Sequence, residues 1–201
     1  MIYLLRHGET VWNRERRVQG HGDSPLTPRG IGQAQAMGGR LRLWLGDLRG
    51  LRLITSPLGR CLHTATLVAE ALDFDPRRIE PEARLMEHGY GLWEGLVHED
   101  IRALHPAVWR AREADRWSVT VPAGENYTLV AKRVRSWLGE IAESERMIVV
   151  SHGCTGRILR GLYAGLAKDK IPALSERHGD IHLLSGRRIV TYSQEDPPGE
   201  P

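Results

Sequence analysis

Two histidines, each followed by a glycine, stand directly after short apolar runs of the sequence. The first run is followed by Arg6 and then His7, and the second run is followed by Ser151 and then His152. Guanidinium groups present planar, paired N–H donors that suit phosphate oxygens. Together with Arg60, which lies in the first turn of a predicted helix, these residues predict a pocket for a phosphoryl group.

The elements that must position these side chains alternate between strands and helices. Short β-favouring runs predict strands at 2–5, 51–56 and 146–153, a short strand within 77–85 and a hairpin at 181–193. Apolar residues at three-to-four spacing predict helices at 27–45, 58–72, 124–144 and 154–165. This alternation is typical of an α/β fold, a three-layer αβα sandwich with a mostly parallel central sheet.

Local signals mark where several of these elements begin or turn. Thr27-Pro28 and Ser56-Pro57 each combine a helix-capping side chain with a proline suited to the first helical turn. Ser185-Gly186 is the predicted turn of the hairpin.

The predicted sheet explains why chemistry follows the apolar runs. Ligands in parallel sheets bind beyond the carboxyl ends of the strands, so we expect His7 and His152 to converge at one edge. The amides of Cys154 and Thr155, at the start of the next helix, would add donors for an anion.

The composition is that of an ordinary globular chain. Its 201 residues, 41% of them hydrophobic and 26% charged, suffice to bury the core of one domain. We predict a single domain over 1–193, with a small helical lobe at about 96–123 and a disordered tail at 194–201.

Charge and hydropathy argue against several classes of protein. A formal net charge of +3 is too small, and the basic residues too dispersed, to predict nucleic-acid binding. No apolar run approaches the roughly 20 residues of a membrane span, and Met1 leads straight into the first strand without room for a signal peptide. We therefore expect a cytoplasmic protein with no nucleic-acid or membrane partner. Its expected ligand is a small phosphorylated substrate or inorganic phosphate, and an edge strand or the hairpin is the expected contact of a homodimer.

Neither the cysteines nor the carboxylates form a metal-binding pattern. Cys61 and Cys154 are far apart and predict two buried, reduced thiols. No carboxylate cluster has the spacing of a magnesium site, and we expect no metal and no cofactor.

Six segments resemble a known family. They are "RHGETVWNRERRVQG" at 6–20, "DSPLTPRGIGQAQ" at 23–35, "TSPLGRCLHTA" at 55–65, "RLMEHGYGLWEG" at 84–95, "PAGEN" at 122–126 and "VVSHG" at 149–153. In this order they resemble the histidine phosphatase superfamily, the phosphoglycerate mutase-like branch 1. The resemblance implies the phosphoglycerate mutase-like version of the αβα sandwich.

The resemblance also implies roles for individual residues. His7 would be the nucleophile that takes the phosphoryl group as a phosphohistidine, and Glu87 would donate a proton to the leaving oxygen. The other positions that match the family are the phosphate clamp Arg6, Arg60 and His152, the further phosphate ligand Asn13, and the pocket-shaping Thr10, Gln19 and Gly20.

These roles set physical requirements. His7 needs an acceptor for its second N–H, expected to be a backbone carbonyl. His152 is expected to be protonated, so that it stabilises the charge of the transferring group without a metal. Glu87 must hold a proton, which requires a raised pKa, with Trp93 and Tyr90 as an expected apolar wall. Glu94 is the alternative acid, although the resemblance favours Glu87.

The resemblance leaves the reaction open. The family's mutases usually have "TGW" after the first loop and a longer basic insertion, whereas this loop reads "VQGHGD" and the lobe is short. Hydrolysis is therefore favoured, with a cofactor-dependent phosphoglycerate mutase and a non-catalytic phospho-ligand-binding protein as alternatives. The lobe arginines Arg102, Arg110, Arg112 and Arg116 are expected either to pair with a second acidic group of the substrate or to lie on a solvated face. Cys154 is expected to alter the width of the pocket.

Overall fold

A computed structural model describes residues 1–196, and six strands form its single sheet. The strands are β1 (Ile2–Arg6), β2 (Leu51–Thr55), β3 (Ile79–Pro81), β4 (Arg146–Ser151), β5 (Ile181–Ser185) and β6 (Arg188–Tyr192). Their order across the sheet is β3-β2-β4-β1-β5-β6. The first four strands in this order pair in parallel. β5 pairs antiparallel with β1, and β6 pairs antiparallel with β5, so that a hairpin forms one edge of the sheet.

Helices cover both faces of the sheet. The helices are α1 (Val11–Arg14), α2 (Pro28–Leu45), α3 (Gly59–Leu72), α4 (His98–Leu104), α5 (Pro106–Ala114), α6 (Tyr127–Leu138) and α7 (Gly153–Ala164). Tyr3 and Leu5 of β1 pack in one buried cluster with α2 and α3, and Ile2 and Leu4 pack in a second with α6 and α7. The predicted three-layer αβα fold is therefore confirmed.

The register of the two central strands decides where the histidines lie. β1 and β4 are parallel neighbours in which Arg6 is opposite Ser151. The amide of His7 donates to the Ser151 carbonyl at 3.0 Å. Both strands therefore end at the same edge, as the sequence predicts.

Two predicted helix boundaries are wrong. Thr27 caps α2 as expected, but α3 begins at Gly59 after Leu58, and Ser56 is not its cap. The Ser56 hydroxyl lies against His152 instead. The helix predicted at 124–144 spans only Tyr127–Leu138, after the cap Asn126, and the chain beyond it still packs Ile141 against the core.

Of two smaller elements, the short strand is confirmed and the hairpin turn differs from its prediction. The strand expected within 77–85 is three residues long and lies between 3₁₀ turns at 76–78 and 83–85. The hairpin turns at Gly186 and Arg187, which have φ of 54° and 61°, one residue later than predicted. Two positive φ angles are typical of a two-residue hairpin turn that matches the twist of its strands.

The lobe range contains α4 and α5, whose small core is formed by Trp93, Ile101 and Val121. Residues 194–196 form a turn whose last carbonyl, that of Asp196, accepts a hydrogen bond from Arg40. Because 197–201 lies outside the described residues, the disordered tail stays a prediction, as do the domain limits. No helix within 1–196 is long and apolar enough to cross a membrane.

Candidate active site

A cavity of about 670 Å³ opens at the edge of the sheet where β1 and β4 end. Of the nine predicted site residues, Thr10 and His152 do not line this cavity. The other seven line it: Arg6, His7, Asn13, Gln19, Gly20, Arg60 and Glu87. Segments distant in sequence therefore meet around one cavity.

His7 is a buried, neutral imidazole whose Nδ1 lies against a backbone carbonyl. Its Nδ1 lies 2.8 Å from the carbonyl oxygen of Gly8, the backbone acceptor that the sequence analysis requires. With the proton on Nδ1, the lone pair is on Nε2. Burial, followed by the charges of Arg60 and other nearby cations, lowers the pKa of His7 well below its usual range. The ring centroid lies 5.3 Å from that of His152.

Two arginines flank His7, each with an unused donor. The terminal nitrogens of Arg60 donate to the carbonyls of Gly20 at 2.7 Å and Gly22 at 2.8 Å, and to Asp23 at 3.0 Å. Arg6 donates to the Glu176 carbonyl at 2.6 Å. Within the described residues, the buried Nε of neither arginine has a hydrogen-bond partner. A buried donor without a partner is costly, and both arginines line the cavity.

His152 is neutral in the free protein, and the protonated form expected while the phosphoryl group is transferred stays a prediction. Its Nε2 lies 2.7 Å from the hydroxyl of Ser56, and the thiol of Cys61 lies 3.4 Å from the same atom. Burial and the charge of Arg60 lower its pKa well below the usual range, although Glu87 opposes them.

Glu87 is bound as an anion by the start of α7. Its carboxylate accepts from the amides of Cys154 at 3.1 Å, Thr155 at 3.0 Å and His88 at 3.0 Å, and from the Thr155 hydroxyl at 3.2 Å. Burial opposes ionisation, but the amide donors favour the carboxylate, and the pKa of Glu87 is lowered to about 2. The expected raised pKa is therefore wrong for the free protein. The amides predicted to bind a substrate anion bind this carboxylate instead.

The surroundings of Glu87 differ from the predicted apolar wall. Tyr90 lines the same cavity, whereas Trp93 is buried in the lobe core. Cys154, expected to alter the width of the pocket, belongs to α7 and is packed in the core with residues of α6. Both cysteines are free and buried.

A family model described as the histidine phosphatase superfamily (branch 1) matches residues 2–188. This chain belongs to that superfamily. A probable phosphoglycerate mutase GpmB from Citrobacter koseri is 37% identical over 193 residues, which cover 94% of this chain and 83% of the relative.

Solved structures of the superfamily share the fold. A putative alpha-ribazole-5'-P phosphatase from Escherichia coli has a TM-score of 0.81 at 25% identity, covering 96% of this chain and 94% of the other. A mycobacterial glucosyl-3-phosphoglycerate phosphatase complexed with VO3 has a TM-score of 0.76 at 28% identity, covering 90% and 88%. YhfR from Bacillus stearothermophilus has a TM-score of 0.78 at 29% identity, covering 98% and 96%.

The three loop residues of the superfamily motif, Thr10, Gln19 and Gly20, have different surroundings and backbone conformations. Thr10 is fully buried and caps α1, and its amide donates to the side-chain oxygen of Asn13 at 3.1 Å. Gln19 accepts from the Ser24 hydroxyl at 3.4 Å. Gly20 has a φ of 58°, in the region that favours glycine.

Sequence reasoning missed several residues that hold the site. Ser56 contacts His152, Asp23 pairs with Arg60, and Nδ1 of His178 lies 2.8 Å from the His7 carbonyl. Burial lowers the pKa of His178 to about 3, so its neutral ring donates this bond. No periodicity or spacing marks these contacts, because each joins segments far apart in the chain.

The lobe arginines divide between two cavities and the surface. Arg102 lines the main cavity. Arg112 and Arg116 line a neighbouring cavity of about 370 Å³, with the Arg112 guanidinium 5.3 Å from the Tyr90 ring centroid. Arg110 is exposed. Within 1–196, no group of three or more histidine, cysteine or acidic side chains could hold a metal ion.

Proposed function

We propose that this chain is a metal-independent phosphomonoesterase that hydrolyses a small phosphorylated metabolite through a phosphohistidine at His7. The observation that carries the proposal is the neutral His7 imidazole, with Nδ1 held by Gly8, beside two arginines whose Nε donors lack partners among the described residues. These groups suit an anion that is attacked at phosphorus.

In the first step, the Nε2 lone pair of His7 forms a bond to phosphorus while the bond from phosphorus to the leaving oxygen breaks. The electron pair of the broken bond stays on that oxygen, which takes a proton from Glu87. The negative charge of the bound phosphate disfavours ionised Glu87, so we expect substrate binding to raise its pKa. Arg6 and Arg60 stabilise the charge on the phosphoryl oxygens.

In the second step, water attacks phosphorus and the bond to Nε2 breaks. Glu87, now ionised, takes the proton from the water. His7 regains its lone pair and inorganic phosphate leaves. No metal or cofactor takes part in this scheme.

A phosphoglycerate mutase is the second candidate, because the 37% identical relative is named as a probable one. In that reaction a hydroxyl group of a phosphoglycerate replaces water as the acceptor. The two solved relatives named as phosphatases favour hydrolysis.

The test is turnover of an aryl phosphate with a chelator present, compared with interconversion of 3- and 2-phosphoglycerate. We expect hydrolysis by the wild type and a loss of about a thousandfold or more in His7→Ala. The exposed His63→Ala variant is the matched control and should retain wild-type turnover. Wild-type turnover by His7→Ala contradicts the mechanism, and efficient interconversion selects the mutase. Phosphate binding without any turnover indicates a non-catalytic binding protein.

A further inference from the structure

Glu94 does not line the main cavity. Its carboxylate nevertheless accepts hydrogen bonds from backbone amides of two segments that line the cavity. Oε1 accepts from His21 at 2.9 Å and from Tyr90 at 3.0 Å, and Oε2 accepts from Gly22 at 2.8 Å. Hydrogen bonds to a carboxylate are stronger than those between neutral groups. Glu94 therefore joins the loop at 20–22 to the segment that carries Tyr90.

The loop at 20–22 contains two of the acceptors that hold Arg60. The carbonyls of Gly20 and Gly22 accept from both terminal nitrogens of the guanidinium. Arg60 is only 2% exposed, and its Nε has no partner within the described residues. The direction in which the Nε–H points therefore depends on the position of this loop.

The contact between Glu94 and the loop leaves no space for another side chain. A Cβ at Gly20 would lie 2.2 Å from Oε1 of Glu94, and Gly20 has a φ of 58°. The glycine thus permits the carboxylate to approach the loop backbone. A larger residue would displace either the carboxylate or the loop.

We propose that Glu94 is a positioning residue that fixes the loop at 20–22 and, through it, aims the Arg60 guanidinium at the phosphoryl group. The inference rests on the proposed function, because it requires phosphate to bind beside Arg60. Glu94 acts at a distance from the reacting atoms and is not the proton donor.

The test is the affinity for inorganic phosphate, and for vanadate, of Glu94→Gln. An amide keeps one acceptor oxygen but places an NH₂ group against one of the amides, so at least one contact is lost. We expect phosphate binding about tenfold weaker, with KM raised more than kcat is lowered. Gly20→Ala should reproduce the effect, and the exposed Glu143→Gln is the matched control.

A double-mutant cycle separates positioning from general stability. If Glu94 acts through Arg60, Glu94→Gln should change the phosphate affinity of Arg60→Lys by less than about twofold. A full tenfold loss in that background overturns the inference, as does wild-type affinity in Glu94→Gln. If Arg60→Lys binds phosphate too weakly to measure, the rate at which the Arg60 Nε–H exchanges with water is compared between Glu94→Gln and the wild type. Equal rates would contradict a positioning role for Glu94. Failure of the wild type to bind phosphate overturns the proposed function as well.

Discussion

The free site combines unprotonated acid–base groups with cationic arginines. Burial and the charge of Arg60 keep His7 and His152 neutral, and amide donors keep Glu87 ionised. In the proposed mechanism, neutral His7 can attack at once, whereas Glu87 must first take up the proton that the leaving oxygen needs. The residue roles implied by the motifs stay predictions, and the protonation states of His152 and Glu87 in the free site could not be predicted from the sequence. They depend on α7 amides and a serine that only the folded chain brings together.

Phosphate binding should therefore take up protons. The dianion brings negative charge beside Glu87 and His152, and negative charge favours the protonated form of both groups. At pH 7 we expect net proton uptake of up to about one per phosphate, measured by calorimetry in buffers with different ionisation enthalpies. Glu87→Gln should reduce the uptake. Binding without exchange of protons would contradict this account of the acid.

At the scale of elements, α6 supports the segment that carries Glu87. Arg133 of α6 donates to the carbonyls of Arg84, Met86 and Glu87 and pairs with Glu125 at 3.1 Å. Glu125 in turn accepts from the amide of Gly89 at 2.8 Å. One guanidinium thus fixes the backbone on which the proposed acid is placed.

Replacing Arg133 with lysine should remove most of this support. A single ammonium group cannot reach three carbonyls and a carboxylate with the geometry of a planar fork. We expect kcat about tenfold lower in Arg133→Lys, measured with an aryl phosphate. The exposed Arg135→Lys on the same helix is the control and should match the wild type. Equal kcat values in the two variants would show that α6 does not position Glu87.

Most elements could be predicted from the sequence where local signals and burial agree. The apolar runs of β1 and β4 and the Thr27-Pro28 start of α2 are of this kind. The errors arise where a tertiary contact overrides the local signal. Ser56 reads as a helix cap but contacts His152, and Ile141 continues a helical spacing from within a turn.

At the scale of the whole molecule, several histidines are buried in the neutral state. Burial lowers the pKa of His88 to about 4, and of His178 and His182 to about 3. The unfolded chain binds protons at these histidines below about pH 6.5, whereas the folded chain does not. The stability they contribute above pH 6.5 is therefore lost as pH falls toward their folded pKa values. Burial raises the pKa of Glu176 to about 7. The folded chain therefore protonates this carboxylate before the unfolded chain does as pH falls, which opposes the loss of stability at this one residue.

The protein should thus be less stable at pH 5 than at pH 7. At pH 5, each buried histidine that stays neutral in the folded chain lowers the free energy of unfolding by about 2 kcal/mol, because the same histidine binds a proton in the unfolded chain. Denaturant unfolding at the two pH values measures the difference. His88→Phe, which removes one such group, should reduce the difference, while the exposed His63→Phe should leave it unchanged. Equal stability at both pH values would contradict the neutral histidines.

The topology of the sheet accounts for the site as a whole. Parallel pairing of β1 with β4 brings two His-Gly pairs to one edge, and the next parallel strand, β2, leads to Arg60 at the start of α3. The alternation of elements predicts this convergence. The side chains that contact the residues and loops of the site from behind, Asp23, Glu94 and His178, come from loops whose paths no periodicity indicates.

The most direct measurement is mass spectrometry of the protein quenched in alkali during turnover, which preserves phosphohistidine. We predict one added phosphoryl group on the peptide that contains His7, and none on that peptide in His7→Ala. Wild-type enzyme that turns over substrate without this label, or that carries it on another residue, would contradict the account.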